Sequence, residues 1–144
     1  MSKHIIYLGL GSNLGDGKMN LDKAVELLSR EVGEIVKVST YIESEPWGFE
    51  SKNIFTNGAV AMTTSLSPLQ LLEATQAIER EMGRTHKHQQ GEGYRDRIID
   101  IDILLYDNLE IHSERLTIPH PLIKERDFVK IPLEEITPQN TSKF

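Results

Sequence analysis

The order of elements predicts an α/β (α+β) sandwich of the split βαβ kind, in which a mainly antiparallel sheet carries helices packed across it. Three observations lead there. Four segments have the apolar or alternating character of strands, and two have the three-to-four-residue apolar spacing of helices. A chain of 144 residues is long enough to bury one core without disulfide or metal staples. No repeat or low-complexity linker divides it, so residues 1–144 are read as a single domain.

Residues 4–10 (HIIYLGL) form an apolar strand bounded by Gly11 and Ser12. Residues 19–31 are a helix with Leu21, Ala24, Val25 and Leu28 on one stripe and Gly33 just past its end. Residues 34–42 alternate in the manner of a second strand. A loop rich in Glu, Pro and Gly, from Glu43 to Asn53, leads to a third strand over 54–64. Ser67-Pro68 then opens a second helix, a capping hydroxyl followed by proline in the first turn, and that helix runs to Met82 and Gly83. Residues 84–96 are a polar loop containing Gly91 and Gly93. Residues 97–105 (RIIDIDILL) form an apolar strand, and 109–118 a short hairpin partner after the turn at Asp107-Asn108. A short helix around 122–128 and a proline-interrupted tail end the chain.

Composition narrows the function classes. The absence of cysteine removes disulfide frameworks and thiolate metal sites. The first apolar run is too short to span a membrane and lacks a cleavage signal, so a cytoplasmic protein without a membrane partner is expected. Lys and Arg number 16 against 22 Asp and Glu, a formal charge of −6, which argues against nucleic acid as a partner. Within this acidic chain, Arg84, Lys87, Arg95 and Arg97, interleaved with His86 and His88, make one local basic segment. It suits a small polyanion such as phosphate, or is a solvated loop.

The segment from Arg97 to Leu105 is the most informative. Strand side chains alternate, so Asp100 and Asp102 project the same way, about 6.5–7 Å apart, while Ile99, Ile101, Ile103 and Leu105 point to the other face. Paired carboxylates on an apolar strand repel unless something positive lies between them. Mg²⁺ fits, because it takes oxygen ligands and is commonly held by one or two carboxylates plus substrate phosphates. The plainer alternative is that the aspartates form a solvent-facing polar surface or pair with Arg95 and Arg97.

No GxxxxGK[ST] motif is present, so a P-loop is excluded. The glycines from Gly9 to Gly15 miss the GxGxxG dinucleotide pattern, but Gly9 and Gly11 keep the strand end slim enough for a flat ligand to lie against it. Arg84, Arg97, Arg115 and His120 are candidate charges for a triphosphate, and Gln76 and Glu79, three apart, share a helix face.

The stretches GLGSNLGD (Gly9 to Asp16), NGAVAMTTSLSP (Asn57 to Pro68), QAIEREMGR (Gln76 to Arg84), RIIDIDILLY (Arg97 to Tyr106) and ERLTIPHP (Glu114 to Pro121) resemble the 6-hydroxymethyl-7,8-dihydropterin pyrophosphokinases. They fall in the family's order and span nearly the whole chain. The pairing of R-x-x-D-x-D with R-L-T-x-P-H is the most specific part. The resemblance implies a ferredoxin-like fold and transfer of pyrophosphate from ATP to the hydroxymethyl group of 6-hydroxymethyl-7,8-dihydropterin, in folate synthesis. It implies two Mg²⁺ ions on Asp100 and Asp102, with these two, Arg84 and Arg97 as the catalytic set. Gln76, Glu79, Arg84, Arg97, Ile98, Arg115, Thr117 and His120 fall on nucleotide-contacting positions. Ser44, Trp47, Phe55, Asn57, Tyr94, Asp100 and Phe128 fall on pterin-site positions. Aromatic rings would sandwich a flat heterocycle, and an Asn both donates and accepts along its edge. Tyr94 stands where the family often has Trp, Pro121 where an aromatic often follows the His, and Arg126 on a basic loop position.

The expected protein is a monomer, with an oligomer left open, whose two substrates are ATP and the pterin. Three rivals remain: a binding module without turnover, a metal-dependent phosphohydrolase using water, and an interaction domain indifferent to nucleotide.

Overall fold

The computed structural model describes residues 3–44, 54–84 and 98–138. Its strands are β1 (His4–Ser12), β2 (Gly33–Val38), β3 (Ile42–Ser44), β4 (Phe55–Thr64), β5 (Asp100–Tyr106), β6 (Ile111–His112) and β7 (Thr117–Ile118). Its helices are α1 (Gly17–Glu31), α2 (Pro68–Glu79), α3 (Leu122–Glu125) and α4 (Asp127–Ile136). The main sheet runs β2-β4-β1-β5, antiparallel throughout, with β3 also beside β4. This is the order that the split βαβ arrangement requires. Among the described residues no helix is long and apolar enough to cross a membrane.

Both long helices start as their sequences dictate. The Asp16 carboxylate accepts the Met19 N–H at 3.1 Å and caps α1. Ser67 and Gln70 form a reciprocal capping box ahead of α2, with Pro68 in the first turn. Leu21, Ala24, Leu27 and Leu28 of α1 and Leu71 and Ile78 of α2 are buried against Ile6, Leu8, Leu10, Val60, Met62, Ile101 and Ile103 of the sheet. That apolar burial is the main stabilising term of the fold. At the α1–β2 turn a Cβ on Gly33 would overlap the Thr63 carbonyl, so only glycine allows the two backbones to approach.

Three features differ from the sequence reading. The expected strand over 34–42 is broken at residues 39–41. There the Ser39 hydroxyl stands in for a backbone group: it accepts the Ala59 N–H at 2.9 Å and donates to the Thr40 carbonyl. The Glu135 carboxylate takes the Thr40 N–H and hydroxyl from the other side.

The second difference lies in β5. Leu8 is opposite Ile103 and Tyr7 opposite Leu105, which leaves Leu104 as the extra residue of a β-bulge. The bulge shifts the side-chain phase, so Leu105 joins Tyr7 on the outer face rather than entering the main core, and Tyr106 enters the core in its place.

The third is the tail. It is helical through Pro132, because burying Pro132, Leu133 and Ile136 on the outer face offsets the hydrogen bond that proline forfeits. The sheet is therefore covered on both faces, by α1 and α2 on one and by α3 and α4 on the other. The hairpin partner after Asp107 forms a two-residue ladder of its own between β6 and β7.

Candidate active site

A cleft opens on the outer face where α4 stops covering the sheet. It is lined by Gly9, Gly11, Phe55, Asn57, Asp100, Asp102 and Phe128, closed by Leu122 and Val129. Register builds its floor. Gly11 lies between Asn57 on β4 and Asp100 on β5, and Gly9 lies opposite Asp102. Three neighbouring strands thus bring an amide and two carboxylates to one surface, with glycines between them. The expectation that Asp100 and Asp102 share a face holds, and both are half-buried while Ile101 between them is buried. Asn57 is 5 % exposed and its Oδ1 faces Gly11.

His120 stands beside the aspartates. Its Nδ1 accepts the Leu122 N–H at 3.1 Å, which puts the ring proton of the neutral form on Nε2, 3.9 Å from Asp102 Oδ1. Burial pushes the His120 pKa below its ordinary value, opposed by the charges of Asp100 and Glu125. The Nε2 side of the imidazole thus faces Asp102.

Gln76 and Glu79 part company despite their spacing. Gln76 is exposed, whereas Glu79 is 3 % exposed and its Oε2 accepts the Ile101 N–H at 2.7 Å. α2 passes at Glu79 into a wider turn over Arg80–Arg84, closed by Gly83 at φ 112. A Cβ on Gly83 would lie 2.9 Å from Ile98 Cδ1, so that turn is packed against Ile98, just ahead of β5.

Phe55, Asn57, Asp100, Asp102 and Phe128 are brought together. His120 lies at the edge of this group through Asp102. Gln76, Ile98, Arg115 and Thr117 lie outside the lining, with Arg115 exposed between β6 and β7 and Thr117 half-buried in β7. Ser44 ends β3 opposite Phe55. Trp47, His86, Lys87, Tyr94, Arg95 and Arg97 lie outside the described residues, and so does the polar loop with Gly91 and Gly93; Arg84 ends the turn after α2. Arg126, between α3 and α4, donates from Nη1 to the Glu125 carbonyl at 3.1 Å. Leu122 and Val129 escaped the sequence reading, because nothing local in a short helix and a proline-bearing tail shows which sheet face they will cover.

Among the described residues no three His, Cys, Asp or Glu side chains form a metal-binding group by themselves. Two adjacent carboxylates match a cation that completes its shell with water and substrate phosphate, which is the habit of Mg²⁺.

Fold and cleft together define an α/β protein with a cleft in which two carboxylates lie beside two aromatic rings. The family model "7,8-dihydro-6-hydroxymethylpterin-pyrophosphokinase (HPPK)" matches residues 7–138, and the chain belongs to that family. It is 49 % identical over 135 residues to a 2-amino-4-hydroxy-6-hydroxymethyldihydropteridine pyrophosphokinase of Porphyromonas gingivalis, covering 93 % of this chain and 91 % of that one. It is 40 % identical to a folic acid synthesis protein of Dictyostelium discoideum, covering 94 % of this chain and 20 % of that longer one. A solved HPPK-DHPS structure from Plasmodium falciparum superposes with a TM-score of 0.75 at 17 % identity, over 97 % of this chain and 43 % of that one, a likeness of fold.

Proposed function

We propose that Asp100 and Asp102 hold the Mg²⁺ ions with which this pyrophosphokinase transfers the β,γ-diphosphate of ATP to the hydroxymethyl group of 6-hydroxymethyl-7,8-dihydropterin. The observation that carries the reading is the convergence of Phe55, Asn57 and Phe128 with Asp100 and Asp102 in one cleft. The pterin ring lies between the Phe55 and Phe128 rings, and Asn57 reads its polar edge as donor and acceptor. That pose aims the hydroxymethyl group at the carboxylate pair.

In the reaction the hydroxymethyl oxygen forms a bond to the β-phosphorus while the bond from that phosphorus to the α,β-bridging oxygen breaks. AMP leaves and the hydroxyl proton goes to solvent. Asp100 and Asp102 would hold Mg²⁺, which would supply charge neutralisation on the phosphates and lower the proton affinity of the attacking hydroxyl. The protein's own part is positioning. The aspartates fix the phosphate end, the aromatic pair and Asn57 fix the pterin, and His120 presents an N–H beside the phosphates. Arg84 and Arg97 flank the polar loop and supply further positive charge to the triphosphate. Use of ATP agrees with the cytoplasmic location expected from the sequence.

Mass spectrometry of products from ATP, Mg²⁺ and the pterin tests this, with Asp100→Ala alongside. AMP and pterin diphosphate, lost in the variant, are expected. ADP or free phosphate would point to hydrolysis instead, and unchanged turnover in Asp100→Ala would remove the aspartates from the mechanism.

A further inference from the structure

We infer that Glu79 is a positioning residue for the metal-binding strand. Its carboxylate holds the Ile101 peptide so that Asp100 and Asp102 keep a common face and spacing, and it acts as a hydrogen-bond acceptor of the right reach rather than as a charge. The inference rests on the proposed metal role of the two aspartates.

β5 is the end strand of the sheet, bonded to β1 alone among the described strands. Backbone donors on a strand alternate sides, so an edge strand turns every second N–H away from its partner. At Ile101, between the two aspartates, that N–H is met by Glu79 Oε2 at 2.7 Å. Gly9 and Gly11 of β1 lie opposite Asp102 and Asp100 on the other side. The strand carrying the carboxylates is thus gripped from both edges over three residues. The grip matters here because the ladder becomes irregular immediately afterwards, at the bulge around Leu104.

Glu79 is 3 % exposed and sits in the last turn of α2, so its carboxylate reaches the Ile101 peptide from a buried position. The same residue couples β5 to the end of α2, from which the chain enters the basic segment beginning at Arg84. Outer groups that orient metal ligands in this way typically change metal affinity by about 10–100-fold when altered.

Two conservative substitutions separate reach from charge. Glu79→Gln keeps an oxygen at the same distance and removes the charge, whereas Glu79→Asp keeps the charge and withdraws it by one methylene. Mn²⁺ affinity is read by electron paramagnetic resonance in the presence of a non-hydrolysable ATP analogue, with melting temperatures as a check on folding. Glu79→Asp is expected to weaken Mn²⁺ binding about tenfold or more, and Glu79→Gln to stay within about threefold of the parent. Parental affinity in Glu79→Asp, or a loss in Glu79→Gln as large as in Glu79→Asp, would overturn the inference. Asp100→Ala distinguishes the underlying reading: if it binds Mn²⁺ as the parent does, the metal assignment itself has failed, not the role of Glu79 alone.

Discussion

Gly11 of β1 lies directly opposite Asn57 of β4, and the Asn57 Oδ1 stands only 3.2 Å from where a Cβ on residue 11 would be. The glycine leaves room for the amide, which in the proposed function reads the pterin edge. Gly11→Ala is expected to displace Asn57 and raise the KM for the pterin roughly tenfold, about 1.4 kcal/mol, with a much smaller effect on the KM for ATP. Steady-state kinetics with each substrate varied separately checks this, and an equal rise for both would place Asn57 elsewhere in the mechanism.

In the proposed role, Asp100 and Asp102 serve catalysis without holding the fold together. Chelation by EDTA is expected to abolish turnover and leave the melting temperature of the nucleotide-free protein unchanged. Mg²⁺ with a non-hydrolysable ATP analogue is expected to raise the melting temperature well above that with either alone, since the phosphates complete the shell. Calorimetric melts in the four conditions decide it.

The Ser39 hydroxyl is the acceptor for the buried Ala59 N–H at the break between β2 and β3. Ser39→Ala leaves that donor unmet and is expected to destabilise the protein by about 1–3 kcal/mol. Urea unfolding gives the value, and the midpoint is expected to move without a change in slope.

The Tyr41 hydroxyl donates to Asp22 Oδ1 at 2.7 Å. Burial, followed by that carboxylate, pushes the tyrosine pKa far above 10.0, and the same bond is the largest cause holding Asp22 below 3.8. A raised folded-state pKa means the native chain keeps the proton more tightly, so the tyrosine's contribution is complete below pH 10 and is lost as pH climbs beyond it. Asp22, held low, contributes above 3.8 and loses its part as pH falls below. Tyr41→Phe is expected to flatten the alkaline limb of stability against pH and to weaken the acid limb. Urea melts at pH 3, 7.5 and 10.5 read both, and an unchanged alkaline limb would place the resisting tyrosine elsewhere.

What could be read in the sequence is what local chemistry decides. Ser67, Pro68 and Gln70 announce the start of α2, and the alternation through Asp100, Ile101 and Asp102 announces which side chains share a face. The remainder depends on residues far apart in the chain. Leu105 changes faces because of how β5 pairs with Tyr7 and Leu8 about a hundred positions away. The strand expected over 34–42 breaks where Glu135 and Ala59 supply its bonding partners. The contact of Glu79 with the Ile101 peptide is likewise tertiary, so the spacing of Gln76 and Glu79 suggested a shared role that burial divides between them. Pro132 reads as a breaker, and only the outer face beneath α4 explains why it is not.

Leu104, the extra residue of the β5 bulge, lies over Gly9 and packs with Ile123 and Leu133, two positions beyond Asp102 on the same face of the sheet. It works as a bulkhead. On one side the surface is the open cleft with Asp100 and Asp102, and on the other it is packed beneath α3 and α4, although a single strand runs through both compartments. The chemistry at the open end and the packing at the closed end are therefore separately adjustable, and Leu104 marks the boundary where redesign of one begins to disturb the other.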